Sequence, residues 1–494
     1  MEEQYLENTP IPKGHFYHGE CQTGDHDVYM DVICPSTGAV YAKMPIATKE
    51  MVNLIVEASY AAQRNSDWAT RAPRERAKVL YQWATLIEQN QTYLARLEAI
   101  GSSRPLHEVL AWDIPYIIDT ARFFAELADK HGGYIGATQS NHLGMVIREP
   151  YGVVGAITPW NFPLSMAMWK AAPALAAGNA IVIKPSELTP FSTVYLAKLA
   201  FDAGLPSDIF NVVLGSGRET GAALCEHPQI NKVTFTGSTQ TGSSIMSACA
   251  LTGPKPVTLE LGGKSPQIVF ADTKDLERTA LTIAKAITGN AGQVCVSGSR
   301  LIIEKSIESP FIALLKKYFE QLSPGVTWHS STTLSPIISQ QQAQRIQSIV
   351  DQSLAQGAEC LCGGTMFEGF GGAYFAPTLL KIQDEQNIAL EQEIFGPVLT
   401  IQSFESEDEA WRLSRHEVYG LAAGIHSANL DRVMRGIRTL EVGSVWVNRY
   451  GRSFDHIMPT GGYKKSGIGK DIGVEAFEAN LRSKSVLLEF EEKI

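Results

Sequence analysis

The sequence predicts an α/β protein built on open parallel sheets, and three observations predict it. From Tyr151 onward, short β-branched and apolar runs alternate with apolar-periodic helical segments. The 494 residues are about three times the ~150 expected of one domain, so two or three cores are needed. Hydrophobic residues make up 44% and charged residues 19%, a globular balance that excludes a largely disordered chain.

Before the alternation begins, Val79, Leu80, Trp83, Leu86, Ile87, Leu94 and Leu97 recur at helical spacing. They predict one long amphipathic helix over 74–100, stopped by Gly101. Strands follow at 153–157, 180–183, 210–214, 232–236, 257–261 and 267–270, with helices at about 164–177, 191–203, 218–226 and 240–250 between them. Parallel strands need such crossovers. A second alternating region spans about 275–447, with strands at 300–303, 398–404, 422–425 and 444–447 and helices near 275–289, 306–321 and 338–356. The domain change is placed near residue 262, at Gly262-Gly263. No internal repeat or low-complexity tract interrupts this order.

Lysine plus arginine total 42 against 52 acidic residues, a net charge of −10 without a basic run. Neither a nucleic acid nor a membrane surface is an expected partner. No apolar stretch reaches the ~18 residues of a membrane span, and the opening Met1-Glu2-Glu3-Gln4 lacks a signal's basic and apolar regions. Seven scattered cysteines suit a reducing compartment, so a cytoplasmic location is expected. Cys360-Leu361-Cys362 lacks ligand spacing, and no metal site is expected.

Chemistry concentrates at a few positions. Cys295 sits among small residues in Gly292-Gln293-Val294-Cys295-Val296-Ser297-Gly298, a setting in which sulfur and backbone N–H can face a cleft. Taken alone it also reads as a small buried hydrophobe. Asn161 lies in Pro159-Trp160-Asn161-Phe162-Pro163, a proline-stiffened turn where a strand's carboxyl end opens into a crevice. Its amide can serve a developing oxyanion or merely bond its own turn. Glu260 ends an apolar strand, where desolvation raises a carboxyl toward the range of a general base; pairing with Lys264 is the alternative. Loops at 215–221 and 235–242 each follow a strand and open a helix, the place where N–H groups receive a phosphate, although neither is GxGxxG. Lys184 and Glu187 stand at another strand end, suited to ribose hydroxyls.

Together these residues resemble the aldehyde dehydrogenase superfamily over roughly 30–490. The motifs are PWNFP at 159–163, KPSE at 184–187, FTGS at 235–238, LELGGK at 259–264, GQVC at 292–295, EIFGP at 393–397 and GGYKKSG at 461–467. The resemblance implies a Rossmann-like cofactor domain (1–131 and 151–262), an α/β catalytic domain (263–465) and a small β oligomerisation element (132–150 and 481–490). It implies a homodimer or homotetramer acting on a small-molecule aldehyde. Cys295 corresponds to the nucleophile, Glu260 to the base, and Asn161 with the Cys295 N–H to the oxyanion hole. Lys184 and Glu187 match adenosine-ribose contacts, and Gly217, Ser238 and Trp160 line the adenine and pyrophosphate path. Glu393 and Phe395 match nicotinamide-ribose contacts. Thr158, Gly221, Phe235, Gly237, Gly242 and Leu261 complete the cofactor groove, while Lys170 and Asp471 stand at the proton-relay pair, with aspartate replacing the usual glutamate.

The cofactor expected is NAD rather than NADP, because a carboxylate at Glu187 repels a 2′-phosphate. The resemblance also implies an aldehyde funnel of Phe162, Met166, Trp169, Val294, Val296 and Phe454. Relatives selective for anionic semialdehydes tend to carry arginine where Trp169 stands, so a neutral aliphatic or aromatic aldehyde is favoured. Arg452, in the loop at the tunnel mouth, reads as a solvated arginine. Betaine-type aldehydes in an aromatic cage and semialdehydes are the alternatives. Glu260 argues against a coenzyme-A-acylating reaction, and the joint presence of Cys295, Asn161 and Glu260 against a silent structural protein. Ala99–Pro105, Asn480 and Arg482 depart from the family pattern, away from this chemistry.

Overall fold

The computed structural model describes residues 9–23 and 28–491; the acidic opening Met1–Gln4 lies outside them. Three of the five sheets among the described residues organise the fold. The first runs in the order Glu20–Gln22, His15–Tyr17, Phe210–Val212, Ala180–Lys184, Val153–Ile157, Lys232–Thr236, Val257–Glu260 and Gly467–Ile468. Its five central strands are parallel. They are buried almost throughout, as continuous apolar runs covered by helices on both faces must be. Register aligns their carboxyl ends: Ile157 lies opposite Lys184 and Phe235, and Thr236 opposite Glu260.

The second sheet has the order Glu359–Cys362, Thr378–Lys381, Val398–Phe404, Arg300–Glu304, Pro266–Val269, Ala422–His426 and Ser444–Val447. All its pairs are parallel except the first. The chain crosses from one sheet to the other between Glu260 and Pro266, around Gly262-Gly263. The third sheet is antiparallel: Leu481–Glu489 pairs along the whole of His142–Pro150, which also pairs with Tyr134–Gly136. Tyr134, Ile135, Leu487 and Leu488 stand exposed on it.

The expected strands and crossover helices are present with ends shifted by a residue or two. The single helix expected over 74–100 is two, Pro73–Gln89 and Gln91–Gly101. Asn90 breaks it at φ −104 and ψ 14. Its side-chain amide donates to Leu86 O at 2.8 Å, while its Oδ1 accepts from the Tyr195 hydroxyl at 2.8 Å. An asparagine that satisfies its neighbours' backbone in this way competes with helix continuation. At 217–226 the turn opens as a π-type winding over Gly217–Gly221 before the α-helix Ala222–Glu226. Helices Lys49–Asn65 and Ile114–Leu127 were not anticipated; the second packs on Pro73–Gln89 and Pro163–Ala176. Among the described residues no helix is long and apolar enough to cross a membrane.

Candidate active site

Cys295 is held by an unusual stretch of backbone. After the helix Leu276–Thr288 the chain passes through Asn290 (φ 49, ψ 35) and Ala291 (φ 50, ψ 38), both left-handed. Gly292 follows at φ +71, where a Cβ would lie 2.1 Å from Gly396 O. Left-handed non-glycine residues cost on the order of 1–3 kcal/mol each and persist only where their surroundings over-determine them. Buried Gln293 does this: its amide nitrogen donates to Ser103 Oγ, Asn290 O and Pro336 O, and its oxygen accepts from Ile338 N. Asn290 Nδ2 donates to Asn161 O at 3.0 Å, and Asn161 Nδ2 to Gln293 O at 2.9 Å. The proline-stiffened turn and the cysteine loop are thereby stitched together, which brings Asn161 and Cys295 to one cleft.

That cleft, about 460 Å³, is lined by Trp160, Asn161, Phe162, Met166, Gly237, Ser238, Leu261, Cys295, Glu393, Phe395 and Arg452. Trp160 and Phe395 meet edge-on at 5.3 Å. Gln342 donates to Phe395 O and Arg345 to Glu393 O, fixing the 393–395 segment from the helix Gln340–Ala355. Glu393 Oε1 accepts from Gly263 N at 2.9 Å, and burial pushes its carboxyl up. The glycine pair is a matter of space: a Cβ on Gly262 would sit 2.4 Å from Glu393 Oε2, and one on Gly263 2.6 Å from Cys295 O.

A second cavity of about 560 Å³ is lined by Trp112, Tyr116, Phe162, Trp169, Val294, Val296, Tyr450 and Arg452 among others. Phe162 and Arg452 border both spaces. Cys295 is partly exposed, and burial pushes its thiol up, with Arg452 the largest opposing influence.

Glu260 is buried and lines neither cavity; its Oε1 has no hydrogen-bond partner and faces Gly461, where a Cβ would lie 2.9 Å away. Burial raises its carboxyl well above the usual range, the charge of Asp471 adding to the effect. Lys170 and Asp471, both buried, form a direct ion pair, so the shorter aspartate does reach the lysine. Lys184 donates to Glu187 Oε2 at 2.8 Å, and Gly217 N lies 3.4 Å from Glu187 Oε1. Burial pushes Glu187 up, but Lys184 outweighs it and holds the carboxyl below its usual range. Ser238 caps the helix Thr239–Leu251. Phe235 fills the space a Gly237 side chain would need, and Leu261 does the same at Gly242. Thr158 is buried, its N–H bonded to Lys184 O, and Gly221 packs against Ile157. Thr158, Lys184, Glu187, Gly217, Gly221, Phe235 and Gly242 do not line the cysteine cleft.

The aldehyde dehydrogenase family model matches residues 22–486. The chain belongs to the aldehyde dehydrogenase family. It is thus an oxidoreductase acting on aldehydes. It is 38% identical over 476 residues to the NADP/NAD-dependent aldehyde dehydrogenase PuuC of Escherichia coli (strain K12), covering 96% of this chain and 95% of that one. It is 39% identical over 460 residues to the putative aldehyde dehydrogenase DhaS of Bacillus subtilis (strain 168), covering 93% and 92%. Among solved structures, the P. syringae indole-3-acetaldehyde dehydrogenase AldA, as a mutant in complex with NAD+ and IAA, superposes with a TM-score of 0.96 at 36% identity over 99% of each chain. Betaine aldehyde dehydrogenase of Staphylococcus aureus in complex with NAD+ gives 0.95 at 33% identity, covering 100% and 98%.

In this aldehyde dehydrogenase two residues expected in the funnel lie elsewhere. Met166 lines the cleft shared with Glu393 and Phe395, because one helical turn from Phe162 carries it to that side. Phe454 lines neither cavity; it is 39% exposed and rests edge-on against Trp112 at 4.7 Å. The solvated reading of Arg452 is corrected: its guanidinium stacks on Trp169 and points inward, since Trp169 offers an apolar and electron-rich face in the tunnel wall. Trp112 and Tyr116, one turn apart near the start of Ile114–Leu127, were missed; their aromatic pair at i and i+4 was the available signal.

Proposed function

We propose that the chain oxidises an aldehyde to the carboxylic acid with NAD, through a thioester on Cys295. The carrying observation is that Cys295 and the Asn161 amide line one cleft and are joined through the Gln293 loop. The thiolate adds to the aldehyde carbon, its lone pair forming the C–S bond while the carbonyl π pair moves to oxygen. Asn161 Nδ2 and the Cys295 N–H receive that oxyanion. Trp160, Lys184, Glu187, Gly217, Ser238, Glu393 and Phe395 would hold the cofactor. The open Gly217 turn, with no atom near an added Cβ, and the pair of buried Lys184 with partly exposed Glu187 fit a ribose and phosphate chain. Bound there, NAD would supply the hydride acceptor needed for the adduct to be oxidised to the thioester. Glu260, its carboxyl raised by burial, turns from Gly461 toward the cleft and takes a proton from a water whose oxygen bonds to the thioester carbon; the C–S bond then breaks, the sulfur leaving as thiolate and the carboxylic acid departing. The Lys170–Asp471 pair beside it is suited to pass that proton onward.

The division into a cofactor domain (1–131 and 151–262), a catalytic domain (263–465) and a bridging element (132–150 and 481–490) is part of this reading, supported by the three sheets. The exposed apolar residues of the third sheet support assembly as a homodimer or homotetramer. For the substrate, Phe162, Trp169, Val294, Val296, Trp112 and Tyr116 favour an aldehyde with a neutral apolar or aromatic body. Arg452 in the same wall favours a second reading, a short aldehyde acid, and disfavours a trimethylammonium aldehyde, because its charge already occupies the Trp169 face. Turnover of hexanal, benzaldehyde, betaine aldehyde and succinic semialdehyde separates these.

The mechanism is tested by two substitutions. Cys295→Ala abolishes turnover, whereas Glu260→Gln retains a first-turnover burst of NADH and then stalls. Full steady-state activity in either variant overturns the assignment.

A further inference from the structure

Arg452 stands beside Cys295 and close enough to Glu260 to oppose the rise of its carboxyl. Its Nη2 lies 3.7 Å from Sγ, and its guanidinium carbon 4.2 Å from the centroid of the Trp169 ring. Its Nε is buried with no hydrogen-bond partner. A guanidinium keeps its charge at every working pH, whereas a thiol does not. Trp169 holds the planar group in place, so the charge is already positioned when the sulfur ionises.

We propose that Arg452 is a catalytic residue that stabilises the Cys295 thiolate as it forms, against the burial that favours the thiol. The groups facing the sulfur are Arg452, Glu393, Glu260 and the Tyr450 phenol. Burial and the two carboxylates disfavour the thiolate, and Arg452 is the largest influence in the other direction. Arg345 lines the same cleft, where it donates to Glu393 O, and Lys170, Arg452 and Lys470 together oppose the rise of the Glu260 carboxyl. Tyr116 and Trp169, the other neighbours of the guanidinium, are neutral. Removing Arg452 therefore takes away the largest influence favouring the thiolate, while burial and the carboxyl groups of Glu393 and Glu260 still disfavour it.

This rests on reading Cys295 as the nucleophile, which the loss of turnover in Cys295→Ala tests separately. The test for Arg452 needs no turnover. Full-length protein is treated with iodoacetamide across a pH series, and modification of Cys295 is followed by peptide mass spectrometry, because the chain has seven cysteines. In Arg452→Met the rate profile moves to higher pH, with about a tenfold lower rate at neutral pH and an unchanged alkaline plateau. Arg452→Lys, which keeps a positive charge, lies closer to the wild type. Arg452→Gln gives the same reading if the methionine variant does not fold. A wild-type profile in the uncharged variants overturns the proposal, as does a lowered plateau with an unmoved midpoint, the signature of a packing role alone.

Discussion

The buried pair Lys170–Asp471 makes an asymmetric prediction. Asp471 faces two ammonium groups. Lys170 pairs with it directly, and Lys232 lies close enough that Asp471 supports its charge while Lys170 opposes it. Burial pushes Lys232 down to about 7, and its Nζ donates to Ala479 O at 2.6 Å. Removing one partner of a buried pair costs about 3–5 kcal/mol, because an uncompensated charge remains in a dry site. Lys170→Met still leaves Asp471 with Lys232 as a counter-ion, so its cost falls near the bottom of that range, about 3 kcal/mol. Asp471→Asn leaves Lys170 buried without its counter-ion and removes the charge that supports Lys232, so its cost reaches the top, about 5 kcal/mol. In the double variant Lys170→Met, Asp471→Leu, Lys232 can lose its proton near neutral pH, so the double change costs less than Asp471→Asn alone. Denaturant unfolding at one fixed protomer concentration measures the order, with fluorescence and far-ultraviolet circular dichroism required to coincide. A Lys170→Met cost equal to or above that of Asp471→Asn refutes the reasoning, as does a change below about 1 kcal/mol in both.

Two further outcomes follow from charges elsewhere in the fold. Glu98 Oε1 accepts from Leu164 N at the start of Pro163–Ala176, and burial pushes its carboxyl up to about 8. A folded-state value above the unfolded one means that this contribution is complete below the unfolded value, near 4.5, and is lost as pH rises through about 8. Glu98→Gln keeps an acceptor and removes the titration, so its Tm relative to the wild type climbs from about pH 5 to about pH 8, by the equivalent of at most roughly 4 kcal/mol; a flat difference contradicts the assignment. Glu187→Gln removes the charge opposed to a 2′-phosphate, so the NAD-to-NADP ratio of kcat/KM drops about tenfold; an unchanged ratio places discrimination in other residues.

Much of the site was legible because its signals are local. The strand-to-turn passage at 153–163, the glycine-lined loop before Cys295 and the apolar strand closed by Glu260 are each contiguous, and each places its side chain through its own backbone. Continuous β-branched runs marked the parallel strands, since a strand buried on both faces has no polar positions to spare. The break at Asn90 was hidden because the amide that bonds Leu86 O is also held by the Tyr195 hydroxyl, from a helix far away in sequence.

What the chain determined by itself is therefore the alternation, the two sheets and the candidate reacting side chains. Tertiary structure alone decided which way those side chains face. Arg452 reads as an ordinary loop arginine until a helix that begins at Pro163 sets the Trp169 ring beneath it. Met166 and Phe454 leave the funnel, and Trp112 and Tyr116 enter it, through helix rotation and loop path that residue type does not encode. Sequence periodicity sets which residues share a face, whereas the direction of that face and the charge it meets depend on elements packed from elsewhere in the chain.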